Sequence, residues 1–415
     1  VGFRLASGVL PEDLARGLNV LVSRHPALRT RFVRRGCHWQ RIIDAAEQHG
    51  SRPWGRYCSI LRLDEFPVRP IVEELEVRTR RVPDLATGPL FHAEFISATG
   101  QPDYVVITIH HAIADLWAIG ILAKELSAVL ETDGVEARSS GSYTDESATL
   151  QIMGDHDERM QSAWSFWDEV LADTGNLRLP TANSSDSKMQ LGIARHSVHA
   201  PVVLDTYRAA ALRRLATECG TTLYAVLVAA QALALREFTD GDRVPVAVTL
   251  HGRDADSQKL VDYIASTVVL PVDVVNGTVH DLVVRSSELL SGVFEYADIG
   301  YPELVSKSAS IGGPSVPVPE AAVLLQQDTP GAPSGLGAGL LNGKVCFGGH
   351  NLSVVASPPS IGPFGLVTLL TSDGDELIGR VEVDPAHYSP SLAQRFAALF
   401  LQSIDLLTSG DQQLL

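Results

Sequence analysis

The sequence predicts an α/β (α+β) protein built from two lobes of similar construction. Segments with apolar residues at helical spacing alternate along the chain with alternating or β-branched segments typical of strands. The 415 residues, 45% of them hydrophobic and 20% charged, exceed what one core ordinarily holds. An irregular stretch at 178–188 separates two halves that each contain both kinds of segment, so we expect lobes at 1–177 and 178–415.

In the first half the pattern runs from helix to strand and back to helix. The predicted elements are a helix at 10–25, an extended segment at 29–35, strands at 91–98 and 104–109, and helices at 116–130 and 162–172. Residues 133–149, rich in Gly, Ser, Asp and Thr, are typical of a surface loop.

The second half repeats this mixture of elements. The predicted elements are a strand at 194–204, helices at 206–219 and 222–238, a strand at 243–250, two strands within 365–384 and an amphipathic helix at 389–407. A hydroxyl in Gly220-Thr221-Thr222 can cap the second of the two consecutive helices. Residues 329–344 are rich in Gly and Pro, which predicts a mobile loop.

Composition and charge exclude several classes of function. The formal net charge of -16 repels phosphate backbones and argues against a nucleic-acid partner. No apolar run is long enough for a membrane span, and the opening residues lack the features of a signal peptide. The cysteines, at positions 37, 58, 219 and 346, lie far apart without metal-ligand spacing. We therefore expect a reduced cytoplasmic protein with buried thiols.

The strongest chemical signal is a pair of histidines at the end of an apolar strand. His110 and His111 follow the segment 104–109, where side chains can leave the sheet and enter a crevice. Histidine is the side chain best suited to hold or move a proton near neutral pH. Asp115 can cap the next helix and pair with an arginine. Locally, the pattern fits a catalytic loop and a structural histidine pair equally well.

Two other chemistries fit the sequence poorly. Adjacent histidines on an extended segment point to opposite faces, which disfavours a metal ion shared by His110 and His111. The chain has no G-x-S-x-G sequence, which disfavours a serine hydrolase. We expect no metal and no cofactor bound by the chain itself.

Several segments together resemble the condensation domains of nonribosomal peptide synthetases. His110-His111-x-x-x-Asp115 matches the HHxxxDG active-site signature of that superfamily up to its aspartate. Residues 24–32, RHPALRTRF, match the family's RHxxLRTxF motif at every fixed position. Further matches are Gly88-Pro89-Leu90-Phe91, Trp167 with Leu179-Pro180-Thr181, Thr222-Leu223-Tyr224, and Gly252-Arg253. The resemblance in overall pattern covers nearly the whole chain.

This resemblance implies a fold and a reaction. Condensation domains have two chloramphenicol-acetyltransferase-like lobes, a V-shaped pseudo-dimer with a central tunnel, with latch and floor-loop crossovers from the second lobe. Upstream and downstream carrier proteins present phosphopantetheine arms from opposite faces. An acceptor aminoacyl thioester attacks a donor acyl or peptidyl thioester, and an amide bond forms. The resemblance further implies neighbouring synthetase or polyketide synthase modules, a monomer and a role in antibiotic or other secondary-metabolite biosynthesis.

The resemblance also assigns roles to site residues. We expect His111 to take the proton from the attacking amine, or to orient that amine and stabilise the tetrahedral intermediate. His110 is expected to point into the fold and support the loop. Asp115 is expected to pair with Arg29, which together with Arg24 would support the active site.

The expected tunnel differs from the family pattern in its lining. The candidate lining residues are Leu116, Trp117, Ala118, Gly252, Arg253 and Ser266. Leu116 and Ala118 stand where the family usually has glycine and serine, so we expect a narrower tunnel and the loss of a hydroxyl. Residues 262–271 lack the usual glycine, asparagine and arginine. The family's opening motif and any adenylation or carrier segment are absent, so we expect an excised domain or a free-standing enzyme.

Other functions stay open at this point. A free-standing or chain-releasing relative would use a soluble amine or alcohol as acceptor, and Leu116 with Ala118 favours such an atypical acceptor. An epimerisation domain shares the HHxxxD signature. A catalytically silent carrier-binding platform is compatible with the changes at 262–271, although the intact His111 argues against it.

Two arginine clusters are candidates for receiving an acidic carrier protein. The first is Arg29–Arg35, and the second is Arg208, Arg213 and Arg214 on the helix at 206–219. A third basic run, 78–81, fits a solvated edge as well as a docking patch.

Overall fold

The computed structural model describes most of the chain. It describes residues 1–36, 38–46, 53–63, 71–98, 102–131, 158–181, 197–275, 277–296, 304–306, 318, 320–327, 335–357, 364–410 and 413. The predicted loop at 133–149 and most of the predicted lobe boundary at 178–188 lie outside these residues. The division at residue 177 therefore stays a prediction.

Helices and strands are interspersed along the described residues. The helices are α1 (Pro11–Arg24), α2 (Ile71–Thr79), α3 (Leu116–Glu131), α4 (Glu158–Leu171), α5 (Thr206–Glu218), α6 (Leu223–Leu235), α7 (Val279–Glu295), α8 (Leu336–Asn342) and α9 (Ser391–Thr408). The strands are β1 (Gly2–Arg4), β2 (Thr30–Arg35), β3 (His38–Ile43), β4 (Cys58–Leu63), β5 (Phe91–Ala98), β6 (Tyr104–Ile109), β7 (Val198–Leu204), β8 (Arg243–Leu250), β9 (Ser266–Asp273), β10 (Ala321–Gln326), β11 (Lys344–Phe347), β12 (His350–Ala356), β13 (Leu366–Asp373) and β14 (Glu376–Val383).

The described strands form two six-stranded mixed sheets and a separate hairpin. The first sheet has the order β11-β12-β1-β6-β5-β4, and the second has the order β7-β14-β13-β10-β8-β9. Strands β2 and β3 form the hairpin, pairing with each other. The predicted strands at 91–98 and 104–109 are confirmed as the antiparallel neighbours β5 and β6. The mixed α/β class predicted from the sequence is thus confirmed.

Four strands of each sheet share one order and one set of directions. In the first sheet, β1–β6 and β6–β5 are antiparallel and β5–β4 is parallel. In the second sheet, β7–β14 and β14–β13 are antiparallel and β13–β10 is parallel. Strands β6 and β14 each lead through a short loop into a long helix, α3 or α9. The two sheets therefore share a four-stranded arrangement.

The core of the second lobe is formed largely around α6. This helix is apolar on nearly all sides, and such a helix is stable only when other elements surround it. The hydroxyl of Thr222 accepts a hydrogen bond from the Ala225 N–H, so the predicted cap is confirmed. Gln231, a fully buried polar residue, accepts from the Thr368 hydroxyl and donates to the Ala322 carbonyl. No single helix among the described residues meets the length and apolarity of a membrane span, and the bent pair α5–α6 meets them by length and composition only.

A segment from the second half completes the first sheet. Strand β12 pairs antiparallel with β1, and β11 pairs with β12. The turn between them packs on the end of α3, where a Cβ on Gly348 would lie 2.8 Å from the Leu130 Cβ. Residues 344–356 therefore belong to the first sheet although they lie within the range predicted for the second lobe.

The mobile loop predicted at 329–344 is wrong for its second half. Residues Leu336–Asn342 form α8, with Leu336 and Ala338 buried. Its glycines allow close packing: a Cβ on Gly337 would lie 2.7 Å from the Thr371 hydroxyl, and one on Gly339 would meet the Lys344 carbonyl. Residues 328–334 lie outside the described residues.

Candidate active site

The loop between β6 and α3 turns His111 towards solvent. The His110 N–H donates to the Leu90 carbonyl at 2.8 Å, and the Ile113 N–H donates to the His110 carbonyl at 3.1 Å. The first bond holds the end of β6 against the residue that precedes β5, and the second closes a turn as soon as β6 ends. His111 is consequently exposed, whereas His110 is half-buried and Ile113 is fully buried.

A backbone carbonyl orients the His111 ring. Nδ1 of His111 lies 2.9 Å from the Ala114 carbonyl oxygen. Because a carbonyl only accepts, Nδ1 of a neutral imidazole must carry the proton, and Nε2 is left with a lone pair. The exposed His111 thus has one ring nitrogen held by the loop and the other available as a base or hydrogen-bond acceptor.

The His110 side chain stabilises the turn instead. Its Nδ1 accepts a hydrogen bond from the Ala112 N–H at 3.0 Å, which requires that nitrogen to be unprotonated. Burial, and after it the neighbouring His111, lower the pKa of His110. The second lobe has the same arrangement after β14, where the Asp384 carboxylate accepts from the Ala386 N–H at 2.9 Å. Among the described residues, no group of three or more His, Cys, Asp and Glu side chains could hold a metal ion.

Asp115 joins the two lobes. Its Oδ1 caps α3 by accepting the Ala118 N–H at 2.8 Å. One guanidinium nitrogen of Arg253 donates to Oδ1 at 2.7 Å and to Oδ2 at 2.9 Å. Oδ2 also accepts the N–H groups of Ile264 and Ala265, at 3.0 and 3.2 Å. The carboxylate is buried and fully engaged, which suits a structural role and leaves it no free position for proton transfer.

The predicted pairing of Asp115 with Arg29 is wrong. Arg29 lies in a 3-10 turn and donates to the backbone carbonyls of Val22, at 3.0 Å, and Asp44. Its guanidinium thereby satisfies carbonyls within its own lobe, while Asp115 faces Arg253 from the other lobe. Arg29 still fixes the segment that leads into β2, so it supports the fold and not the His111 loop directly.

Arg24 supports α3 at a distance from the histidine loop. It donates to Glu125 on α3, and Nε2 of His25 lies 3.1 Å from the same carboxylate. Burial alone would raise the pKa of Glu125, but the hydrogen bonds and charges of His25 and Arg24 outweigh it and lower that pKa. The RH pair of the second motif thus holds α1 against the helix that begins after Asp115. A role of Arg24 in activity stays a prediction.

Two predicted tunnel residues have buried side chains. The Arg253 side chain is fully buried, and besides Asp115 it donates to the carbonyls of Ser257 at 2.9 Å and Leu260 at 2.6 Å. Ala118 is also fully buried, in the first turn of α3. Neither side chain has accessible surface with which to contact a substrate, as the predicted role in lining a tunnel requires.

The other tunnel candidates keep accessible surface. Leu116 is exposed at the start of α3, and Trp117 lies half-buried with its ring centroid 5.9 Å from the Arg253 guanidinium carbon. Gly252 has a φ of +62°, and a Cβ there would lie 2.6 Å from the Ile264 carbonyl, so only glycine permits this approach. Ser266 begins β9 and is half-buried. Their role in binding substrate stays a prediction.

Sequence reasoning missed Tyr263. Its ring meets the His111 ring edge to face, with centroids 4.9 Å apart and planes at 81°. Burial, and after it the charge of Asp115, raise the pKa of Tyr263. The contact joins different lobes, and nothing in a single sequence marks it except the departure from the family pattern at 262–271.

Trp117 belongs to a second group of aromatic rings, together with His251 and Phe294. The Trp117 and His251 rings lie 5.6 Å apart, and His251 lies 6.3 Å from the half-exposed Phe294. The indole N–H of Trp117 donates to the Gln258 carbonyl at 2.9 Å. Aromatic side chains from both lobes thus surround the start of α3.

Comparisons with known proteins identify the family of this chain. A family model described as Condensation domain matches residues 1–315. Tyrocidine synthase 3 of Brevibacillus parabrevis is 26% identical over 310 residues, which cover 74% of this chain and only 4% of that protein. The chain therefore spans a small part of the length of this curated relative.

Solved structures share the fold. The condensation domain from the Monacolin K polyketide synthase MokA superposes with a TM-score of 0.74 at 14% identity, covering 100% of this chain and 92% of the other. The X-domain from teicoplanin biosynthesis superposes with a TM-score of 0.73 at 17% identity, covering 97% and 89% of the two chains. At these identities the likeness shows the fold alone.

Proposed function

This chain belongs to the condensation-domain family, and on that premise we propose that it forms an amide bond between two carrier-bound substrates. The donor is an acyl or peptidyl thioester and the acceptor is an aminoacyl thioester, each on a phosphopantetheine arm of a carrier protein. The observation that carries the proposal is the exposed His111, whose Nδ1 is held by the Ala114 carbonyl.

The reaction needs a base beside the acceptor amine. The amine nitrogen attacks the thioester carbonyl carbon, the C–N bond forms and the C–S bond breaks. Nε2 of His111 accepts a proton from the amine or hydrogen-bonds to it, and the proton then reaches the departing sulfur as the thiol forms. Because an ordinary α-amino group has a pKa of about 7.7–8.0, much of it is already neutral, and alignment of the two reactants supplies a large part of the rate.

Asp115 supports this chemistry without joining it. Its carboxylate accepts hydrogen bonds from Ala118, Arg253, Ile264 and Ala265, so the loop that carries His111 is fixed from both lobes. A catalytic group held in this way loses little entropy when the substrates bind.

The fold alone does not choose the reaction, since the X-domain from teicoplanin biosynthesis shares it. The intact His111 loop is what supports catalysis over a silent platform. The family match does not favour the alternative of a soluble amine or alcohol as acceptor, which Leu116 and Ala118 suggest.

A single-turnover assay tests the proposal. The chain is mixed with one donor-loaded and one acceptor-loaded carrier protein, and each carrier-bound species is weighed by mass spectrometry. We expect the donor group to move to the acceptor arm. If the donor group moves only to an added soluble amine or alcohol, the carrier-bound acceptor is wrong. Intact carriers with no transfer would contradict an enzymatic role.

The structure favours one of the two candidate carrier-docking clusters. In the β2–β3 hairpin, Arg34 lies opposite Trp39 and Arg35 opposite His38, and all four side chains are exposed. On α5, Arg208 is paired with Asp405 at 2.8 and 2.9 Å and Arg213 donates to the Asp375 carbonyl at 2.7 Å, while Arg214 is exposed. The hairpin therefore offers two adjacent exposed arginines where α5 offers one, and this suits an acidic protein partner.

A further inference from the structure

Tyr263 is held against His111 by the same carboxylate that fixes the histidine loop. The two residues after Tyr263 donate their N–H groups to Asp115, at 3.0 and 3.2 Å. The residue before it, Asp262, accepts the Arg253 guanidinium at its carbonyl at 3.1 Å and pairs with Arg41 at 2.6 Å through its carboxylate. The backbone on both sides of Tyr263 is therefore anchored.

Among the described residues, the hydroxyl of Tyr263 makes no hydrogen bond. The backbone N–H of Tyr263 donates to the Asp262 carboxylate at 2.9 Å. The residue is 41% exposed and the specific neighbour of its ring is the His111 ring, at 4.9 Å and 81°. The anchored turn thus presents an aromatic ring, and not a hydrogen bond, to His111.

The two contacts of His111 act on different parts of the imidazole. The Ala114 carbonyl holds Nδ1 from within the loop, and Tyr263 meets the ring from the other lobe. A hydrogen bond to one nitrogen leaves the ring able to swing about that bond. An edge-to-face contact favours one orientation by roughly two- to tenfold, so Tyr263 restricts this remaining motion of the ring.

We propose that the aromatic ring of Tyr263 is a positioning group that keeps the Nε2 lone pair of His111 directed at the acceptor amine. This role rests on the proposed function of His111 and deepens it, because it makes the second lobe part of the catalytic arrangement. The ring is required and the hydroxyl is not, which separates this role from substrate binding by the phenol.

Substitutions separate the ring from the hydroxyl. Tyr263→Phe keeps the ring and Tyr263→Ala removes it, while Tyr207→Ala removes a tyrosine that is 80% exposed on α5, in the second lobe. NMR relaxation of ring-labelled histidine, with His111→Gln to assign the signal, reports how much the His111 ring moves in the free protein. The pH profile of the single-turnover rate reports the function of the ring.

The wild type, Tyr263→Phe and Tyr207→Ala should all show a His111 ring held in one orientation, and Tyr263→Ala should show a more mobile ring. The rate of Tyr263→Ala should fall by roughly two- to tenfold with a changed pH profile, which is the orientational preference that an edge-to-face contact supplies. An equally rigid His111 ring in Tyr263→Ala, or an equal loss of rate in Tyr263→Phe, would overturn the proposal. If the wild type transfers nothing between carriers, the proposed function fails while the NMR comparison still decides the role of Tyr263.

Discussion

Arg253 of the second lobe donates one guanidinium nitrogen to both carboxylate oxygens of Asp115 of the first lobe, at 2.7 and 2.9 Å. Both side chains are buried. The same carboxylate caps α3 and anchors the turn that carries Tyr263. A single buried ion pair thus fixes three parts of the site: the His111 loop, the first turn of α3 and the ring beside His111.

Removing the charge of Asp115 should destabilise the protein strongly. Asp115→Asn leaves the Arg253 guanidinium buried without a counter-charge, and we expect the free energy of unfolding to fall by about 3–5 kcal/mol. Urea denaturation measures the change. The control is Asp405→Asn, which breaks the exposed pair with Arg208 and should cost at most about 1 kcal/mol. Equal losses in the two variants would contradict the structural role of Asp115.

The role of His110 as an acceptor can be tested by a substitution that the second lobe suggests. The Asp384 carboxylate accepts the Ala386 N–H in the same way that Nδ1 of His110 accepts the Ala112 N–H. We therefore expect His110→Asn, which can still accept from the Ala112 N–H, to keep most of the stability. His110→Ala should lose roughly 1–3 kcal/mol, since that N–H is left unsatisfied. The exposed His199→Ala is the control, and equal stabilities for the Asn and Ala variants would rule out this role.

The carboxylate of Glu125 should make the free energy of unfolding depend on pH. Its pKa is lowered in the folded protein, so its contribution is fully present above the unfolded pKa of about 4.3 and is lost as the pH falls through the lower folded value. At pH 6 we expect Glu125→Gln to be about 1.5–3 kcal/mol less stable than the wild type. Thermal or urea unfolding should show this difference shrinking towards pH 3. A difference that stays constant from pH 6 to pH 3 would refute the assignment.

Charge reversal should weaken carrier docking at the hairpin. We expect Arg34→Glu with Arg35→Glu to slow association of an acidic carrier protein by about tenfold or more at low salt, and to flatten the salt dependence. Surface plasmon resonance over a range of salt concentrations measures both. Arg214→Glu, an exposed arginine on α5, is the matched control. If only the α5 variant binds poorly, the docking surface lies on the second lobe.

Elements with a strong local pattern were predictable, and those that depend on distant partners were not. Strands β5 and β6 and the helices α3 and α9 agree with their apolar spacing because each buries one continuous face. Strands β11 and β12 carry no comparable signal, since they are stabilised by pairing with β1 from the other end of the chain. Helix α8 was missed because its glycines serve close packing, which composition does not distinguish from mobility.

The site was predictable only where its residues are neighbours in sequence. The histidine pair and Asp115 were identified from one short segment, and the turn that exposes His111 follows from it. The motif that contains Arg29 predicts this residue as the arginine partner, yet Arg29 satisfies nearby carbonyls and Arg253 makes the pair. Contacts between lobes depend on the packed fold. A single sequence gives no distances between remote residues, so it could not identify Arg253 or Tyr263.

The most direct test of the account compares His111→Ala with the wild type in the single-turnover assay with donor-loaded and acceptor-loaded carriers. Circular dichroism and the melting temperature should match the wild type, since the exposed His111 donates its Nδ1 proton to the Ala114 carbonyl of its own loop. We expect the transfer rate to fall by about 10²–10⁴-fold, the range for loss of a positioned general base. Product formation at an unchanged rate in a folded His111→Ala variant would contradict the central claim that His111 acts on the acceptor amine.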